Sequence, residues 1–146
     1  MPASVNDDSK KIEILHVEDN AGDAMLMKEL FKTSRFPIRL TLARDGETAL
    51  NMLNDTNAFS GKGKPDIILL DLSLPRLSGL ELLEEIRKNK NLREVPVLIM
   101  SASQKDQDLQ TAYQNHANFY IVKPVDMDHF AVVMTYIEKF WLARIP

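Results

Sequence analysis

The 146-residue sequence predicts an α/β fold, a five-stranded parallel sheet wound on both faces by helices. Three observations carry this expectation. Short apolar runs alternate five times with segments of helical periodicity. The most apolar run, DIILLDL at 66–72, is too short for an isolated buried helix and reads as the middle of a sheet. The length suits one core rather than two, and 45% apolar with 27% charged residues is the balance of a globular domain.

Residues 1–11 form a polar tail, and residues 12–146 form the domain, a C-terminal aromatic extension included. The apolar run 12–17 is the first strand, stopped by Glu18, Asp19 and Asn20. Ala24, Met27, Leu30 and Phe31 recur at helical spacing, with Asp23, Lys28 and Lys32 elsewhere on the wheel, so a helix follows and ends near Phe36 and Pro37. Ile38, Leu40 and Leu42 alternate as in an edge strand, and Asp45-Gly46 turns into a helix over 47–53. The polar, glycine-containing stretch 54–64 reads as a long exposed loop. The third strand covers 66–72, with Asp71 its one interior charge. Ser78-Gly79 opens a helix carrying Leu80, Leu82, Leu83 and Ile86, and 95–100 is a fourth strand closing on Ser101. A polar helix over 106–115 and a fifth strand over 119–122 lead to Lys123-Pro124. The final helix, 126–142, starts at an Asp cap and turns Phe130, Val133, Met134 and Ile137 to the core. Right-handed crossovers then give a parallel sheet.

Composition narrows the function. The chain has no cysteine, hence no disulfide framework or thiolate metal site, and its opening residues MPASVNDDSKK lack an apolar signal core. A cytoplasmic protein with no membrane attachment is expected. A formal charge of −3 without a basic helix gives no electrostatic basis for direct nucleic-acid binding.

Open parallel sheets bind ligands beyond the carboxyl ends of their strands, where the strand order reverses. Glu18 and Asp19 end strand one, Asp71 strand three, Ser101 strand four and Lys123 strand five. If the order is 2-1-3-4-5, all five meet in one pocket. Taken singly, each has a plainer reading: turn residue, helix cap or solvated lysine. Together, three crowded carboxylates call for protons or cations, and an all-oxygen set without a His or Cys cluster suits Mg²⁺. A phosphoryl group entering the pocket would find its charge offset by the cation, Lys123 and a small hydroxyl, with Asp71 as carboxylate nucleophile.

The motifs ILHVEDN, DIILLDLSLPRLSGLELL, VPVLIMSAS and FYIVKPVD, in this order and spacing, resemble the response-regulator receiver family of two-component signalling, over residues 12–142. The resemblance implies a flavodoxin-like (βα)5 doubly wound sheet of order 2-1-3-4-5. It implies phosphorylation of Asp71 by a histidine kinase. Asp19, Asp71 and the Ser73 carbonyl would bind Mg²⁺, Glu18 would act largely through water, and Ser101 and Lys123 would contact the phosphoryl group. A cis Lys123-Pro124 bond would aim the ammonium inward. Tyr120 occupies the family's aromatic switch position, and the fourth helix, fifth strand and fifth helix would form the readout surface. A narrower resemblance, to single-domain regulators of cyanobacterial and bacterial phytochrome kinases, rests on NAGDA at the start of the first helix, the loop before strand three and the aromatic C-terminus. Phe140, Trp141, Leu142 and Ile145 exceed what one helix end buries and are expected to serve a homodimer or kinase contact. As the chain ends after the last helix, output is expected through protein contacts in a phosphorelay, with no enzymatic turnover beyond Mg²⁺-dependent self-phosphorylation and slow self-dephosphorylation.

Two other functions share parts of this pattern. A dehalogenase-type phosphatase also uses an Asp nucleophile, Mg²⁺ and Lys, but needs a second Asp two residues on, where Ser73 stands. A flavodoxin-like FMN carrier shares the fold, yet three carboxylates would repel the flavin phosphate and the first loop offers no Gly-rich cradle. His16, inside strand one, is expected to be a neutral, hydrogen-bonded histidine.

Overall fold

The computed structural model describes residues 11–123 and 125–144. Its elements in chain order are β1 (Ile12–Val17), α1 (Ala21–Phe31), β2 (Ile38–Ala43), α2 (Gly46–Leu53), β3 (Ile67–Leu70), α3 (Gly79–Lys88), β4 (Val97–Ser101), α4 (Asp106–Gln114), β5 (Phe119–Val122) and α5 (Met127–Arg144). The strands form one parallel sheet of order β2-β1-β3-β4-β5, as expected.

Alternation along each central strand divides the core. Leu15, Val17, Ile68, Leu70, Val97 and Ile99 point to one face, where Ala49 and Leu53 of α2, Leu82, Leu83 and Ile86 of α3 and Ala112 of α4 cover them. Ile12, Ile14, Ile67, Leu69, Leu98 and Met100 point to the other, under Met27 and Phe31 of α1 and Phe130, Val133 and Ile137 of α5. Both faces are therefore largely dry, which is why β3 and β4 as far as Ser101 read as unbroken apolar runs, while β1 also buries Glu13 and His16. Each fully buried Leu or Ile contributes about 2 kcal/mol by removal from water.

Local chemistry sets the helix ends. Asn20 and Asp45 cap α1 and α2 by accepting the amides of Asp23 and Thr48. Ser78 and Glu81 form a reciprocal capping box at α3, and Asp126 accepts the His129 amide at the start of α5.

The structure corrects several boundaries. Helix α1 stops at Phe31 rather than near Pro37, because the Thr33 hydroxyl bonds the Leu30 carbonyl at 2.6 Å and closes the turn. Strand β3 is shorter than 66–72, so Asp71 lies just past its end, and β4 starts at Val97 after a proline. The 54–64 stretch is not wholly exposed. Phe59, held at φ +57°, is buried in the α2/α3 side of the core. Among the described residues no helix is long and apolar enough to cross a membrane.

Candidate functional site

Adjacent strands stop at the same level, and backbone bonds fix their ends. The Glu18 amide donates to the Ala43 carbonyl at 2.9 Å, that of Asp71 to Val17 at 3.1 Å, and that of Lys123 to Ser101 at 2.8 Å. The side chains following β1, β3 and β5 are thereby delivered to one edge of the sheet.

There the Lys123 ammonium donates to Glu18 Oε1 at 2.7 Å, Asp23 Oδ2 at 2.8 Å and Asp71 Oδ2 at 2.9 Å. Glu18, Asp19 and Asp71 each present an oxygen within 4.8 Å of the others. Glu18 and Asp71 are buried, whereas Asp19 is exposed and opens the pocket to solvent. The Asn20 amide holds Glu18 Oε2 at 3.2 Å and the Ser73 amide holds Asp71 Oδ1 at 2.9 Å. Ser101 is fully buried at the end of β4, its Oγ accepting the Ser103 amide at 3.2 Å. Half-buried Tyr120 donates its hydroxyl to the Ser103 carbonyl at 2.9 Å, and the Ser103 hydroxyl bonds Asp108.

The charges are unbalanced. Three carboxylates share the Lys123 ammonium with Asp19 close beside two of them, and burial followed by the neighbouring Asp71 pushes the Glu18 carboxyl up to about 7. Burial would raise Asp71 too, but hydrogen bonds with Glu18, the Ser73 amide and Lys123 outweigh it and hold Asp71 below the ordinary carboxylate value. The two titrate as a pair, with any shared proton resting on Glu18. Despite its burial, Lys123 is held firmly protonated by Asp23, Glu18 and Asp71. A site with net negative charge, hard oxygen donors and an open side fits a divalent cation. Glu18, Asp19 and Asp71 would hold it.

The structure thus gathers Glu18, Asp19, Asp71 and Lys123 as the sequence suggests, with Ser73 on the loop after β3 and Ser101 at the end of β4. It adds Asp23, which sequence reading left on the polar side of α1. The Lys123-Pro124 bond, the side chains of Phe140 and Trp141, and Ile145 lie outside the described residues; Leu142 is exposed.

His16 departs from expectation. It is 1% exposed, and neither ring nitrogen has a hydrogen-bond partner among the described residues; Nε2 lies 3.9 Å from Glu18 Oε1. Burial, then the Lys123 charge, lowers its pKa to about 4, so the ring is neutral as expected but not hydrogen-bonded.

Comparison with known proteins places the fold and sequence in a family. Residues 14–134 match the response regulator receiver domain family. The chain is 38% identical over 129 residues to the probable methanogenesis regulatory protein FilR2 of Methanothrix harundinacea, covering 88% of this chain and 83% of that one. It is 35% identical over 132 residues to the response regulator Rcp1 of Synechocystis sp., covering 90% of each. The Mn²⁺-bound structure of Rcp1 superposes with a TM-score of 0.75 at 34% identity over 92% of this chain and 96% of that one. The phosphorylated cyanobacterial phytochrome response regulator RcpA superposes with a TM-score of 0.77 at 34% identity, covering 93% and 97%. The family match over most of the chain and the shared fold show that the chain belongs to the response regulator receiver domain family.

Proposed function

We propose that this protein is a phosphorelay response regulator that accepts a phosphoryl group on Asp71 from a histidine kinase of the phytochrome type. The observation that carries the reading is the meeting of Asp71 with Glu18, Asp19 and Lys123 at one sheet edge. The kinase class is supported by the likeness to RcpA, whose own name assigns it to a phytochrome.

Asp71 is suited to act as nucleophile because it stays ionised beside a raised Glu18, with one oxygen fixed by the Ser73 amide. The phosphorus would be attacked by an Asp71 oxygen while the kinase imidazole leaves, forming a mixed anhydride and returning the electron pair to the histidine. Lys123 and the Ser101 hydroxyl would neutralise and orient the phosphoryl oxygens. Mg²⁺, held by Glu18, Asp19, Asp71 and the Ser73 carbonyl, would supply electrostatic neutralisation of the transferring group. Turnover beyond acceptance and slow hydrolysis is not part of this function.

Output would pass through protein contacts in the cytoplasm, without nucleic acid. Tyr120 is the switch in this reading, its hydroxyl already bound to the loop after Ser101. The surface beside it carries exposed Leu109 and Tyr113 on α4 and Phe119 on β5. A groove of about 300 Å³ between Phe119 and α5 residues Val132 and Tyr136 continues it. Together with Phe140, Trp141 and Leu142 this face would form a homodimer or kinase contact. The test is phosphotransfer from an autophosphorylated phytochrome kinase. Label should pass within minutes to the wild type and not to Asp71→Asn, whereas label retained on the kinase would reject the partner.

A further inference from the structure

Resting on the reading of the pocket as a divalent-cation and phosphoryl site, we propose that Asp23 is a positioning residue that retains the Lys123 ammonium when a cation displaces it from Glu18 and Asp71.

An ammonium has three N–H donors, and all three on Lys123 are in use, one each to Glu18, Asp23 and Asp71 at 2.7–2.9 Å. Two of these acceptors, Glu18 and Asp71, belong to the oxygen cluster with Asp19. Asp23 does not. A cation entering the cluster therefore competes with Lys123 for Glu18 and Asp71 but not for Asp23. With Asp23 present, the displaced ammonium keeps an anionic partner. Without it, every carboxylate that Lys123 touches is also a candidate cation ligand, and the cation must leave the ammonium stranded in a half-buried pocket.

Asp23 is built for this role. Its backbone is fixed in the first turn of α1 by a 2.9 Å bond from its amide to Asn20 Oδ1, while Ala24 and Met27 pack the neighbouring positions into the core. Its side chain is 41% exposed against 1% for Glu18, so it stays hydrated and its charge costs little to maintain. A carboxylate in the first helical turn also favours the helix. That purely structural contribution would not depend on Lys123.

A double-mutant cycle on Mg²⁺ affinity, measured by isothermal titration calorimetry on the full chain, separates these roles. Asp23→Asn in the wild-type background should weaken Mg²⁺ binding about tenfold, the loss typical of a residue that orients metal ligands. Lys123→Met should bind Mg²⁺ more tightly than wild type, the competitor being gone. In that background Asp23→Asn should change affinity less than about twofold, the through-space effect of a screened, half-exposed charge. Asp23→Ser, which suits a first helical turn, should repeat the pattern if the amide disturbs the fold. Equal affinity of Asp23→Asn and wild type, or an equal loss in both backgrounds, overturns the proposal. A wild type that binds no Mg²⁺ overturns the reading of the pocket and the proposal with it.

Discussion

Gly79 links the stability of the fold to the geometry of the pocket. It opens α3 directly against the chain leaving β3, and a Cβ built there lies 2.3 Å from the Asp71 carbonyl oxygen and 2.5 Å from Leu72 Cα. Both obstacles are backbone, in a segment tied by the Asp71 amide to Val17 and by the Gly79 amide to Leu72, each at 3.1 Å. Ordinary contact starts about 1 Å further out, so Gly79→Ala must push α3 or the end of β3 by roughly that distance. If α3 retreats, Leu82, Leu83 and Ile86, all fully buried, lose packing. Overpacking of this kind costs about 3 kcal/mol. With a urea slope of about 1.5 kcal/mol per molar, the unfolding midpoint should fall by about 2 M. Any part of the strain relieved by moving β3 shifts the Asp71 carboxylate away from Lys123, and phosphorylation by a small donor should slow at least about tenfold. Gly22→Ala serves as control, since its Cβ would meet nothing nearer than the Asn20 side chain at 3.2 Å on an exposed helix face. Its midpoint should move by less than about 0.7 M, since the helix propensity gained offsets the small shift asked of the Asn20 cap. Urea titration and timed intact-mass labelling give both readouts, and a Gly79→Ala protein matching wild type in each refutes the reasoning.

Further outcomes follow from the same structure. Glu18, raised from 4.5 to about 7, contributes stability that is full below pH 4.5 and lost as pH rises through 7. His16, lowered from 6.5 to about 4, contributes stability that is full above pH 6.5 and lost as pH falls through 4. In magnesium-free buffer the two slopes oppose, so wild-type stability should be nearly flat between about pH 4.5 and 6.5. His16→Leu should leave stability falling with rising pH and Glu18→Gln should leave it falling on acidification, each by about 1.4 kcal/mol per pH unit in urea melts. Matching flat profiles in both variants would contradict this assignment. His16→Leu should also gain about 1 kcal/mol at pH 7, because two buried nitrogens without partners are removed; a loss at that pH argues against it. Arg87 donates to the carbonyls of Arg93, Val95, Asn115 and His116, joining α3 to the starts of β4 and β5. Arg87→Met should cost about 3 kcal/mol in chemical denaturation while leaving the rate of Asp71 labelling unchanged. A slowed rate would show that this bracket reaches the pocket.

The parts legible in the sequence were those in which one residue type breaks a pattern. Asp71 interrupts the apolar surroundings of β3, and Glu18, Asp19 and Lys123 sit where apolar runs stop, so parallel-sheet topology alone brings them together. Asp23 was hidden because its role depends on the angle at which α1 leaves β1, which helical periodicity does not encode. A carboxylate on the polar side of a helix looks solvated until the lysine that follows β5, 100 positions away, is found beside it. Phe59 was missed for a related reason. Apart from Ala58 its neighbours are polar, and a left-handed backbone turns its ring into the core. His16 was read correctly as neutral, since burial decides that, whereas its lack of partners depends on neighbours that strand periodicity does not name.

Asp71 is proposed as the carboxylate on which phosphorus is received, within a cation-dependent pocket. Intact-mass measurement after incubation with acetyl phosphate, with Mg²⁺ or with excess chelator, tests it without any kinase. A single phosphoryl adduct on the wild type with Mg²⁺, absent with chelator and absent from Asp71→Asn, is the expected result. An adduct that persists in Asp71→Asn, or that forms equally well without a divalent ion, would contradict the account.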